Sequence, residues 1–202
     1  MGRSPHISDA QILQAAEELF LERGFGVSTA AIAERAGVSE GTLFKRFPKK
    51  TELFVHAMDV KAIEGICAHV DALDDAAEVH DALVTLVERL VEKFRIVLPR
   101  MMMMWANVPP RDVFAAYDEP PPLRVFRSIC LWLRREKERG RIAVDDERVL
   151  ARLIVGSSLH FTFFELMGFG ADSTAGAFAD RLANIVLRGV RPLAMEGAHE
   201  ES

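Results

Sequence analysis

Lys45, Arg46, Lys49 and Lys50 put four cations into six residues with no acid among them. Ammonium and guanidinium groups so clustered neutralise phosphates and release their counterions, so the chemistry on offer is nucleic-acid binding. Residues just upstream fit the same use. Ser28 and Ser39 are each placed to cap a helix, which leaves backbone N–H groups turned toward phosphate. Gly41 and Thr42 are small enough for close approach to a duplex, and Thr42 can donate to a phosphate. Lys45 and Arg46 can reach phosphates or guanine edges, and Lys50 can clamp a further phosphate. Catalytic sets do not stand out: there is no recognisable Ser/His/Asp or Cys/His grouping, and no paired carboxylates in a catalytic context. Cys67 and Cys130 lie in no metal-ligand spacing and read as small buried hydrophobes. No enzymatic activity, cofactor or metal is expected.

The spacing predicts the scaffold that positions these side chains. Ser8 and Gln11 have capping-box spacing, with Ile7 and Ile12 at the staple positions, so a first helix starts near Ser8. Ile12, Ala16, Leu19 and Phe20 recur at helical period, and Gly24 stops the helix. A second helix covers 28–36, Gly37-Val38-Ser39 forms the turn, and a third covers 39–47. Ile32, Ala33 and Ala36 pack on the first helix, Gly37 takes a positive φ, and Val38 plugs the core. Leu43 and Phe47, four apart, face inward and leave Gly41, Thr42, Lys45 and Arg46 outward. This is a helix-turn-helix layout, in which the second helix of the motif enters the major groove. The pattern alone also fits an ordinary helical hairpin with a solvated basic turn.

The particular residues narrow that choice. Ile12, Ala15-Ala16, Leu19-Phe20 and Gly24-Phe25 are followed by Ser28, Ile32-Ala33 and Ala36-Gly37-Val38-Ser39. Then come Gly41-Thr42-Leu43-Phe44, Phe47, Lys50 and Glu52-Leu53. With these pieces at these spacings, residues 11–54 resemble the DNA-binding domain of the TetR family of transcriptional regulators. The resemblance implies a homodimer on a near-palindromic operator, and a C-terminal body that binds a small molecule and then releases DNA. Carried over position by position, it assigns DNA contact to Ser28, Ser39, Gly41, Thr42, Phe44, Lys45, Arg46 and Lys50. Three positions depart from the family pattern. Phe44 stands where tyrosine is common, which removes a phosphate hydrogen bond of roughly 1 kcal/mol. Arg46 stands where histidine is frequent and adds a permanent charge, so it is expected to contribute more than its counterparts. Ala30 replaces a longer polar residue that often reaches DNA.

The rest of the chain reads as further helices: 50–73, 78–98 ended or kinked by Pro99, a short apolar helix at 101–108, then 123–139, 145–167 and 174–190. Five prolines in 109–122 mark a loop with a short helical piece around 112–117. The predicted fold class is all-α, with a DNA-binding domain at 1–50 and a ligand-binding and dimerisation domain at 51–202. Met101, Met104, Trp105, Phe126, Cys130, His160, Phe161 and Phe164 are the candidates for an effector pocket, since methionines adapt and aromatics line apolar pockets. Taken singly each also reads as plain core, and His160 with Glu165 reads as a satisfied core pair. Four consecutive methionines at 101–104 cannot all face one side of a helix. Phe178, Leu182, Ile185 and Gly189 form an apolar stripe, and Gly156 and Ser157 permit close helix approach, as a dimer interface would need. Packing against the chain's own body would use the same stripe.

The chain has 202 residues, half of them hydrophobic, and a net charge of −5. That balance alone argues against nucleic acid, so the basic footprint is local. No apolar leader opens the chain, and no apolar run reaches about 18 residues, although 153–169 comes closest, so a cytoplasmic protein without a membrane span is expected. The function these features point to is a repressor released by an apolar effector. The alternative is a DNA-binding protein governed by a protein partner or by chromosomal position, with no effector.

Overall fold

Ser8 opens the first helix, α1 (Asp9–Arg23), with both halves of a capping box: its hydroxyl accepts from the Gln11 amide, and Gln11 accepts from the Ser8 amide. Gly24 ends α1 at φ 74°. Then follow α2 (Thr29–Ala36), α3 (Glu40–Arg46) and α4 (Lys50–Ala57). Ser28 and Ser39 cap α2 and α3, and Gly37 closes α2 in the left-handed region at φ 68°. This computed structural model describes residues 7–58, 64–73, 78–114, 117–170 and 173–189. The predicted middle of the 50–73 helix, the break at 74–75 and the tail at 196–202 therefore lie outside the described residues.

Further along stand α5 (Glu64–Asp71), α6 (Val79–Asn107), α7 (Pro110–Val113), α8 (Pro121–Glu138), α9 (Glu147–Leu166) and α10 (Ala175–Gly189). The described residues contain helices and no strand. The sequence reading needs correction at Pro99, which lies inside α6, so that one helix spans the two predicted ones. Proline removes one backbone bond and crowds the preceding turn. Burial of Val97, Leu98 and Met104 offsets that cost, and Arg100 is anchored by an ion pair to Glu17 of α1. Pro121 and Pro122 open α8, where a missing N–H is harmless.

The chain divides into two compact units. The first joins Met1–Ala62 with Ile96–Pro120, so it takes in α4 and the end of α6 as well as the helix-turn-helix. Its core is Ile12, Leu19, Ile32, Leu43 and Leu53 around an aromatic cluster, with Phe54 edge-on to Phe20 at 4.8 Å and to Phe25 at 4.9 Å. Val38 is only half-buried, less than a plug would be.

The second unit joins Ile63–Arg95 with Pro121–Ser202. In it α8 packs against α5 and α9. Ile66, Leu86, Leu90, Ile129, Leu133 and Ile154 are fully or almost fully buried. Glu136, buried at the end of α8, pairs with Arg139 and Arg141, and Gly140 turns the chain at φ 72°. Arg95 of α6 grips Glu165 of α9 through two hydrogen bonds, 2.8 and 2.7 Å, and holds that carboxyl below its usual range. Glu165 is therefore not the partner of His160. By length and composition α9 is apolar enough to cross a membrane, with mean hydropathy 1.4. Its apolar residues divide between the unit's core and an exposed side, and buried Ser158 and Thr162 bond to its own carbonyls.

Candidate nucleic-acid interface

The local sequence builds this surface from caps and inward anchors. The Ser28 hydroxyl accepts from the Ala31 amide at 3.2 Å, and the Ser39 hydroxyl accepts from the Thr42 amide at 3.1 Å. Ser39 and Thr42 also share a hydroxyl–hydroxyl bond of 2.8 Å, so the Thr42 side chain is fixed at the start of α3. Leu43 and Phe47 are buried, and Gly41, Phe44 and Lys45 are exposed, Phe44 by 40%. Of the four residues expected outward, Gly41 and Lys45 are exposed, whereas Thr42 and Arg46 are only half-exposed. Arg35 pairs with Glu18 at 3.2 Å and fastens α2 to α1.

Lys50 is placed by aromatic packing. Its ammonium lies 4.7 Å from the centroid of the Phe25 ring, a cation–π contact at the start of α4. Arg46 departs from the outward placement. Its Nη1 donates to the Ile7 carbonyl at 2.6 Å and to Asp9 Oδ1 at 3.0 Å, and the side chain is 23% exposed. Asp9 and Ile7 come from the start of the chain, and their carboxylate and carbonyl engage Nη1 of the guanidinium. Sequence reasoning passed over a further pair. Thr29, the first residue of α2, donates its hydroxyl to Oε1 of Glu40, the first residue of α3, at 2.5 Å. The signal was available in the repeat of Ser28-Thr29 and Ser39-Glu40 eleven residues apart, which puts both at matching helix starts.

The pocket and interface candidates distribute differently from expectation. Met101, Met104 and Trp105 fall in the first unit, while Phe126, Cys130, His160, Phe161 and Phe164 fall in the second. Met104 is buried and Met102 exposed, so the methionine run does divide. Cys130 is buried, and that burial pushes its thiol pKa up. His160 packs tilted against Phe164 at 4.4 Å between centroids, and Phe161 stacks on Phe178 at 4.3 Å. These four, with Gly156 and Ser157, line one open cleft of about 620 Å³ on α9 and α10. Arg152 lines it too and lies 5.2 Å from the Phe126 ring centroid. Residues assigned to an effector and residues assigned to a dimer therefore share one surface. The α10 stripe also splits: Leu182 is 8% exposed and belongs to the unit's own core, whereas Ile185 is 66% exposed. Gly189 borders a second cleft with Val149 and Leu153.

Residues 12–57 match the family model of the bacterial regulatory proteins of the tetR family. The nucleoid occlusion factor SlmA of Marinomonas sp. (strain MWYL1) is 28% identical over 144 residues, which are 71% of this chain and 62% of that protein. The chain thus spans less than two thirds of the length of that relative. Among solved structures, one assigned to the TetR-family regulators, from Mesorhizobium loti MAFF303099, aligns at TM-score 0.77 and 24% identity, over 95% of this chain and 100% of the other. The flavonoid-responsive regulator FrrA aligns at TM-score 0.71 and 22% identity, over 92% and 98%. At such identities the likeness shows the fold: all-helical, with an N-terminal helix-turn-helix and a larger helical part after it.

Proposed function

We propose how this chain, which carries a TetR-family DNA-binding domain, acts: as a cytoplasmic homodimer that represses from a near-palindromic operator and lets go when an apolar small molecule binds. What carries the reading is the face of α3, where Gly41, Phe44 and Lys45 stand free while Leu43 and Phe47 anchor the helix beneath them. Two such helices reach half-sites about one turn of DNA apart only if two chains are held together. The exposed apolar side of α9 and α10 offers the surface for that, with Leu153, Phe164 and Ile185 among its residues. The effector would meet the aromatic rings of the cleft lined by Phe161, Phe164 and Phe178. It can shift the equilibrium only by preferring the DNA-incompetent state. The division into a head at 1–50 and a body at 51–202 would then be one of function, since α4 and the end of α6 belong to the same compact unit as the head.

The likeness to nucleoid occlusion factors favours a second reading, in which a protein partner or position on the chromosome governs the bound protein and no effector exists. One experiment separates the two. Duplexes selected by the full chain from a random pool are titrated with apolar aromatic compounds, flavonoids included, and binding is followed by fluorescence anisotropy. Release at micromolar compound supports the effector reading. Operator binding that no compound disturbs favours the second, and failure to enrich any sequence would sink both.

A further inference from the structure

We infer that Glu40 reads a cytosine in the major groove at one position of each operator half-site. The inference rests on the DNA-binding reading above. Glu40 is exposed at the first residue of α3, immediately before Gly41, whose missing side chain leaves the backbone free to approach a duplex. Among the described residues no cation pairs with it, and its one hydrogen bond is the 2.5 Å contact that Oε1 accepts from Thr29. That bond holds the carboxylate in one orientation and leaves Oε2 to accept from another donor. The conformational freedom lost on binding is correspondingly smaller.

An acid on a phosphate-binding surface weakens the hold on every sequence alike, because it opposes the cations that displace counterions. The penalty is offset only where the groove presents a donor to the carboxylate. Guanine shows two acceptors there and thymine an acceptor beside its methyl group. Adenine shows an amino donor next to the N7 acceptor, which repels the second oxygen. Cytosine shows its N4 amino group and no acceptor, so it is the base that a carboxylate accommodates. Glu40 thus selects by penalising the other three bases as much as by binding its own.

The test compares sites selected from random duplexes by the unaltered full chain, Glu40→Gln and Glu40→Ala. The unaltered chain is expected to enrich cytosine at one position per half-site, with about a tenfold loss of affinity when that base pair is changed. Glu40→Gln should move the preference there to adenine, because an amide can bond both N6 and N7. Glu40→Ala should abolish the preference at that position alone, while its affinity for random DNA stays equal or rises at matched salt. Retention of the same cytosine preference by both variants overturns the proposal, as does loss of enrichment spread over all positions. Glu40→Gln keeps a partner for Thr29, so the proposal stays open to test should Glu40→Ala fail to fold. Enrichment of no sequence by the unaltered chain would instead overturn the DNA-binding reading itself.

Discussion

Lys45 and Arg46 are adjacent cations with different partners, and salt titration separates them. Lys45 is exposed on α3, whereas Arg46 is spent on Ile7 and Asp9. Lys45→Ala should lower the slope of log affinity against log salt by about one, as expected for one lost phosphate contact. Arg46→Ala should leave that slope nearly unchanged and instead destabilise the fold by about 1 kcal/mol, most of it from the charged hydrogen bond to a carbonyl. Asp9 is largely exposed, so its share of the ion pair is small. Anisotropy titrations and thermal melts measure the two effects, and a slope lowered by about one in Arg46→Ala would show that the guanidinium reaches phosphate after all. Helical period put Arg46 outward, and the structure turns it back onto α1 and the residues before it. Its partners were not legible in the sequence, since they lie 39 and 37 residues away in the chain. Glu40 is the reverse case: the sequence reading did not single it out, and the structure shows it exposed, with the hydroxyl of Thr29 beside it giving it a defined direction.

At the scale of elements, caps and stops were the most legible features, because their signals are local. Ser8, Ser28 and Ser39 cap as spaced, and Gly24, Gly37 and Gly140 turn the chain at positive φ. Gly37 and Gly41 give a contrasting pair. A Cβ on Gly37 would be strained at φ +68° and would meet Ile7 Cδ1 at 3.3 Å. Gly37→Ala is expected to cost about 1–2 kcal/mol in denaturant melts. Gly41 has an ordinary helical backbone and only Ser39 Oγ at 3.9 Å, so Gly41→Ala should be neutral or slightly stabilising. Equal destabilisation by the two would refute the assignment of the turn. Where the element reading failed, at Pro99, the deciding interactions were distant. A proline ends an isolated helix, but buried Val97, Leu98 and Met104 and the Arg100–Glu17 pair carry α6 through it.

At the scale of the whole molecule, the feature that bears on assembly is the exposed apolar residues of α9 and α10. Val149, Leu153, Phe164 and Ile185 are exposed large hydrophobics on these two helices, and exposed apolar surface of this kind is what a partner would cover. If the proposed dimer uses this face, Ile185→Glu should yield monomers by sedimentation at micromolar concentration and weaken operator binding, with the monomer's fold retained in thermal melts. A variant that stays dimeric would move the interface elsewhere. Sequence by itself determined the class of fold, the caps, the inward anchors Leu43 and Phe47 and the basic cluster, because period, caps and local charge are short-range properties of a chain. Tertiary structure decided which outward groups remain free. It withdrew Arg46 to Ile7 and Asp9, divided the α10 stripe between core and surface, and gathered His160, Phe161, Phe164 and Phe178 into one cleft. Such outcomes turn on which elements pack together, as when Arg46 meets groups 37 and 39 residues away and Phe161 of α9 meets Phe178 of α10, and no local pattern encodes which of two satisfactory partners a side chain will meet.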